Sequence, residues 1–137
     1  MKQGVEVKLK MKTVIKNGRL LDSKNNFHMT KADILIEDGI IKKIGKNINE
    51  EGSQVIDVEN SIVAPGFIDI HVHCFPKGTA ISSFPDEIGV KKGVTSIIDA
   101  GTSGADTIDD FYENFIKKSK TRIFSYLNIA HQGLQTL

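Results

Sequence analysis

The sequence predicts two architectures in succession: a small all-β unit over residues 13–64, then alternating strands and helices over residues 65–137. Three observations carry this. Short apolar runs up to Ala64 are punctuated by turn-forming pairs, Asn17-Gly18 and Asp38-Gly39. Pro65-Gly66 then breaks the pattern, and beyond it the apolar period switches between that of a strand and that of a helix, the signature of parallel βαβ units. The first strand after the break, Phe67-Ile68-Asp69-Ile70-His71-Val72-His73, runs into two histidines two residues apart.

Residues 1–12 are polar and lysine-rich and read as a loose leader. Residues 13–21 predict two short strands joined at Asn17-Gly18, because that pair tolerates the positive φ of two-residue hairpins. Residues 22–30 are a polar loop. Residues 33–37 and 40–44 predict a hairpin across Asp38-Gly39, and residues 55–58 and 62–64 two further strands. Past Pro65-Gly66, residues 67–73 are the first strand of the second unit. Alternation places Phe67, Asp69, His71 and His73 on one face and Ile68, Ile70 and Val72 on the other, which is apolar and expected to be covered. Residues 83–92 predict a short helix with Ser83 as N-cap, Pro85 in its first turn and Gly93 past its end. Residues 94–100 are the second strand. Residues 106–120 give the clearest helical pattern, with Ile108, Phe111, Tyr112, Phe115 and Ile116 at helical spacing, aspartates at the start and lysines at the end. Residues 122–129 are the third strand.

Composition narrows the function classes. The 137 residues carry a formal net charge of +1, which gives no electrostatic case for nucleic acid or an anionic membrane. The opening residues lack the apolar stretch of a secretory signal, and no apolar run is long enough to span a bilayer as a helix. The single cysteine, Cys74, cannot form an internal disulfide, so a reducing, cytoplasmic setting is expected.

Chemistry is expected where strands of a parallel sheet end. The His71 and His73 imidazoles suit a divalent metal such as zinc. They equally suit two strand histidines, one exposed and one hydrogen-bonded. Asp69 either orients an imidazole or is a buried carboxylate bonded to neighbouring backbone. Cys74 is a ligand or a buried small side chain. After the second strand, Asp99 and the Gly101-Thr102-Ser103-Gly104 loop either shape a substrate pocket or form a turn. After the third, Asn128 lies beside a substrate or caps a loop, and His131 reaches a substrate or lies in solvent. No catalytic acid, base or nucleophile is identifiable in the chain.

Ser61-Ile62-Val63-Ala64-Pro65-Gly66-Phe67-Ile68-Asp69-Ile70-His71-Val72-His73 resembles the entry to the first barrel strand of the amidohydrolase superfamily. Residues 31–45 resemble the strand-turn-strand of the small β domain that precedes that barrel. Lys92-Gly93-Val94-Thr95-Ser96-Ile97-Ile98-Asp99-Ala100-Gly101 resembles the second barrel strand. With Phe75-Pro76 after the histidine pair, the dihydroorotase-like deacetylases are the subgroup it looks most like. The resemblance implies a fold: a small, β-sandwich-like domain (13–64), then the first three strands and two helices of a (β/α)8 TIM-type barrel (65–137). The barrel is expected to be incomplete in this chain, since a whole one takes about 250 residues. It also implies one or two divalent metal ions, zinc first, with His71 and His73 among the ligands. Metal-activated hydroxide would then attack the carbon of an amide, cyclic amide, amidine or related acyl group of a small-molecule substrate, and the C–N or acyl bond at that carbon would break. In such enzymes the bridging lysine or glutamate, two further histidines and a proton-transferring aspartate lie on later strands. Two imidazoles fall short of the three protein ligands typical of catalytic zinc, so the chain alone is expected to be inactive. The alternative is a non-catalytic structural or interaction piece. In either case open sheet edges imply a homo-oligomer or edge-to-edge association.

Overall fold

The computed structural model describes residues 11–135, so the expected leader lies outside the described residues except for Met11 and Lys12. The chain divides into two compact units at Pro65/Gly66.

The first unit is one mixed five-stranded sheet, not the two packed layers of a sandwich. Its strands are β1 (Lys12–Leu20), β2 (Lys31–Glu37), β3 (Ile40–Gly45), β4 (Gln54–Asp57) and β5 (Ile62–Val63). The order is β3-β2-β1-β4, and β5 also pairs with β1, farther along the same strand. β1 runs antiparallel to β2 and parallel to β4 and β5. A single layer results because β4 and β5 share one edge of β1 instead of founding a second sheet. Apolar clusters sit on two patches, Val14, Leu35 and Ile48 in one, and Leu20, Ala32 and Ile34 in the other. Adjacent Ile34 and Leu35 thus serve different clusters, as strand alternation requires. The hairpin across Asp38-Gly39 forms as expected, both residues having positive φ (49° and 77°).

Asn17-Gly18 does not make a hairpin. β1 continues straight through it, and the register against β2 slips between Ile15 and Gly18, so the pair is a bulge. Asn17 takes the left-handed conformation (φ 62°). Its N–H donates to Asp33 Oδ1 (2.9 Å) and its side-chain amide to Asp57 Oδ2 (2.8 Å). A Cβ at Gly18 would lie 2.7 Å from Val63 Cγ2. Partners far along the chain, not the local pair, decide between turn and bulge. Lys12, assigned to the leader by composition, opens β1.

The second unit is a three-stranded parallel sheet, β6 (Phe67–Val72), β7 (Val94–Asp99) and β8 (Arg122–Ser125), in the order β6-β7-β8. The connection from β6 to β7 carries α1 (Pro85–Ile88) and a 3₁₀ turn (Val90–Lys92). That from β7 to β8 carries α2 (Ile108–Phe111), which runs on into a π-helical turn (Tyr112–Ile116). The core is Cys74, Phe75, Ile97 and Phe111, with Val72, Phe115 and Ile123 against it. The Phe75 ring lies 5.0 Å from that of Phe111 and 5.6 Å, edge-on, from Phe115.

Several expected elements are shorter or start elsewhere. Ser83 does not cap α1. Phe84 holds the N-cap position, and the Ser83 N–H donates instead to the His73 carbonyl (3.0 Å). Pro85 does sit at the first turn, and Gly93, at φ 79°, closes the 3₁₀ turn. The helix expected over residues 106–120 winds only from Ile108. Before that, the Asp106 N–H is held by the His131 carbonyl and the Thr107 N–H by the Gly104 carbonyl. β8 ends at Ser125, not at Ile129, as the chain turns to bond the loop after β7. Of the apolar face expected on β6, only Val72 packs into the core; Ile68 and Ile70 are exposed. Among the described residues no helix is long and apolar enough to cross a membrane.

Candidate metal centre at the strand ends

The three strands of the second unit end side by side, and the loops leaving them are tied together. The sheet ladder is extended by Ala100 N–H to the Val72 carbonyl (2.8 Å) and Tyr126 N–H to the Asp99 carbonyl (2.9 Å). Beyond it, Asn128 N–H donates to the Ser103 carbonyl (2.9 Å), Leu134 N–H to the Thr102 carbonyl (3.0 Å), and the Asn128 side-chain amide to the Gly101 carbonyl (2.8 Å). Gly101 turns at φ 82°. Gly104 is pressed against the Ala130 and His131 carbonyls, where no Cβ fits.

β6 reaches this end irregularly. Its register against β7 slips between Asp69 and Val72, a bulge at the first histidine. The two imidazoles are neighbours, with ring centroids 5.7 Å apart and planes at 87°. His71 is exposed; His73, just past the strand, is half-buried. Three contacts pin His73: its carbonyl accepts from Ser83 N–H, the next residue's N–H (Cys74) donates to Asp99 Oδ2 (2.8 Å), and its Nδ1 lies 2.9 Å from Thr102 Oγ1.

Asp99 is fully buried and is the hub of this end. Besides Cys74 N–H, it accepts from Thr102 N–H on Oδ1 (2.6 Å) and from the Thr102 hydroxyl on Oδ2 (2.8 Å). Asp99 therefore serves polar satisfaction behind the histidines and faces no open pocket. Asp69 accepts from the His71 backbone N–H (3.1 Å) but is exposed, not buried, because the described residues leave the outer part of β6 uncovered. Asn128 caps its own loop through Ala130 N–H (3.0 Å). His131 is exposed, its Nδ1 3.8 Å from Oδ1 of Asp106, which is exposed as well. Cys74 is buried in the core beside Phe75, Ile97 and Phe111, and burial, with the Asp99 carboxylate beside it, pushes its thiol far above the ordinary value.

Sequence reasoning named the loop that contains Thr102 but not Thr102 itself. One signal was available: an aspartate three residues before a threonine at a strand end can accept that threonine's N–H in a local turn. The contact to His73, 29 residues away, was not readable.

As a metal site the donors fit in kind but not in number. Two neighbouring imidazoles are apt zinc ligands. Among the described residues, however, no group of three or more histidine, cysteine, aspartate or glutamate side chains comes together.

No family model matches the chain. The chain is similar to a deacetylase of Enterococcus faecalis, 38% identical over 122 residues, which span 88% of this chain and 31% of that protein. Among solved structures, a dihydroorotase superposes with a TM-score of 0.81 at 31% identity over 90% of this chain and 32% of its own. An adenine deaminase superposes with a TM-score of 0.74 at 38% identity over the same shares. These are amidohydrolase-superfamily enzymes, and the chain belongs to that superfamily. It spans about a third of the length of these relatives.

Proposed function

We propose that the chain contributes the small β domain and the first three strands of the barrel to a metal-dependent hydrolase acting on C–N bonds. In this reading residues 13–64 are the small domain, residues 65–137 begin the barrel, and His71 and His73 are two ligands of a divalent metal, zinc first. The observation that carries it is the placing of the two imidazoles side by side at the strand ends, one braced by a buried carboxylate through a hydroxyl. When bound, the metal supplies Lewis acidity and acidifies a water to a pKa of about 7. The chain's own residues orient the imidazoles: Thr102 and Asp99 hold His73, and the bulge at Asp69–Val72 sets His71. Asn128 fixes the loops flanking the site. Substrates are amides, cyclic amides or amidines, and N-acylated amino acids and cyclic ureides are the first to assay.

Because a catalytic zinc keeps three or more protein ligands and the described residues gather two, the remaining ligands come from elsewhere, in one polypeptide or a second. The exposed Ile68 and Ile70 on β6, Phe124 on β8 and Leu127 just past β8 offer the surface for that completion. Two preparations test the reading: the chain alone, and the chain joined to the part of the E. faecalis deacetylase that it does not cover. Metal-dependent turnover is expected only in the second, and His71→Ala or His73→Ala should abolish bound metal and turnover together. Full metal occupancy in both variants would remove the pair from the site. Turnover by the chain alone, lost in His71→Ala, would overturn the ligand count.

A further inference from the structure

We infer that Thr102 is a positioning residue that, backed by Asp99, holds His73 as its Nδ1–H tautomer and so turns a bare Nε2 toward a divalent metal. The inference rests on the reading of His73 as a ligand and adds how the chain prepares that ligand before any metal arrives. It follows from counting protons. A carboxylate only accepts, and Asp99 already takes backbone N–H groups on both oxygens, from Thr102 on Oδ1 and Cys74 on Oδ2. The Thr102 hydroxyl owns one proton and lies 2.8 Å from Asp99 Oδ2. A hydrogen bond to a charged acceptor is roughly twice as strong as one between neutral groups, so that proton goes to Asp99 and not to the imidazole. Thr102 Oγ1 is then left as an acceptor, and the only proton that can fill the 2.9 Å contact belongs to His73 Nδ1. Both Thr102 and Asp99 are fully buried, so water does not compete for these bonds. The hydroxyl is held by its own bond to Asp99, and the Thr102 backbone that carries it is fixed at its N–H by Asp99 and at its carbonyl by Leu134 N–H. A neutral imidazole protonated at Nδ1 has its lone pair on Nε2.

The test is a long-range ¹H–¹⁵N spectrum of the metal-free chain with labelled histidine, at about pH 8, above the ordinary histidine value. His73 should show the Nδ1–H pattern. Thr102→Val should lose it and Thr102→Ser keep it, and Zn²⁺ affinity should fall about 10–100-fold in the valine variant with rescue by serine. Solid-state spectra of sedimented chain read the same shifts, so association through sheet edges does not hide the result. An Nε2–H pattern for His73 in the unmutated chain would overturn the inference, and that single spectrum decides even if Thr102→Val does not fold. An unchanged pattern in a folded Thr102→Val chain would overturn it as well. If the Nδ1–H pattern is found but the His73 Nε2 resonance does not move on adding Zn²⁺, the tautomer assignment stands and the ligand reading falls.

Discussion

Asp33 in the first unit and Asp99 in the second are both buried aspartates whose two oxygens collect backbone N–H groups. Asp33 takes Asn17 N–H on one oxygen and Ile48 N–H (3.0 Å) on the other, and its network stops there, on backbone. It fixes a bulge and the loop after β3. Asp99 does the same for two N–H groups but takes a third donor, the Thr102 hydroxyl, through which the network reaches the ring of His73. Burial and hydrogen bonding alone therefore do not mark an acid as part of a site. What separates the two is the far end of the network, backbone in one case and a side chain with its own chemistry in the other.

The largest effect expected from this contrast is on stability. Asp99→Ala leaves two buried N–H groups without an acceptor, at about 1–3 kcal/mol each, and takes the charged acceptor from the Thr102 hydroxyl, together a large part of the whole stability of a typical domain. Asp33→Ala orphans two N–H groups and should cost less. Urea unfolding with residue-resolved hydrogen exchange reads the cost in each unit. An Asp33 variant hit harder than the Asp99 variant would break the comparison.

A smaller effect is expected at the bulge that Asp33 braces. Gly18→Ala drives a methyl into Val63 and should cost about 1–3 kcal/mol, seen as a lower urea midpoint. An unchanged midpoint would mean that β1 and β5 part easily and that the bulge is not held by close approach.

Much of the fold was legible because it is local. The Asp38-Gly39 hairpin, Pro85 in a first helical turn and the switch of pattern after Pro65-Gly66 need only neighbouring residues. Asn17-Gly18 misled because positive φ serves a bulge as well as a hairpin, and the choice lay with Asp33, Asp57 and Val63. The helix over residues 106–120 was overdrawn because apolar spacing and end charges describe the whole segment, whereas the His131 carbonyl keeps its first residues out of the helix. At the candidate site, i and i+2 spacing makes the two histidines neighbours in sequence, and their rings are neighbours in space. Thr102 stayed hidden because its importance depends on which strand ends adjoin.

The smallest stability effect expected is a pH dependence. Partial burial pushes the Asp86 carboxyl up, but donors from Thr121 N–H (2.9 Å), Lys120 N–H (3.1 Å) and the Thr121 hydroxyl outweigh it and leave the group below its ordinary value. A carboxylate depressed in the folded state stabilises above its unfolded value of about 3.9, and that contribution is lost as pH falls through the folded value. Asp86→Asn should therefore flatten the acid limb of stability below about pH 4 and leave its slope near neutrality unchanged. Acid unfolding curves with the same slope in both proteins would show that these bonds are not specific to the charged form.

The most direct test of the contrast is a Zn²⁺ titration, read by competition with a chromophoric chelator, of the unmutated chain, His71→Ala, His73→Ala and the bulge variant Gly18→Ala. If the ends of β6 and β7 form part of a metal centre, each histidine variant loses at least about tenfold in affinity while Gly18→Ala, which perturbs only the structural network, binds like the unmutated chain. Equal affinity across all four proteins would contradict the assignment of His71 and His73 to a metal.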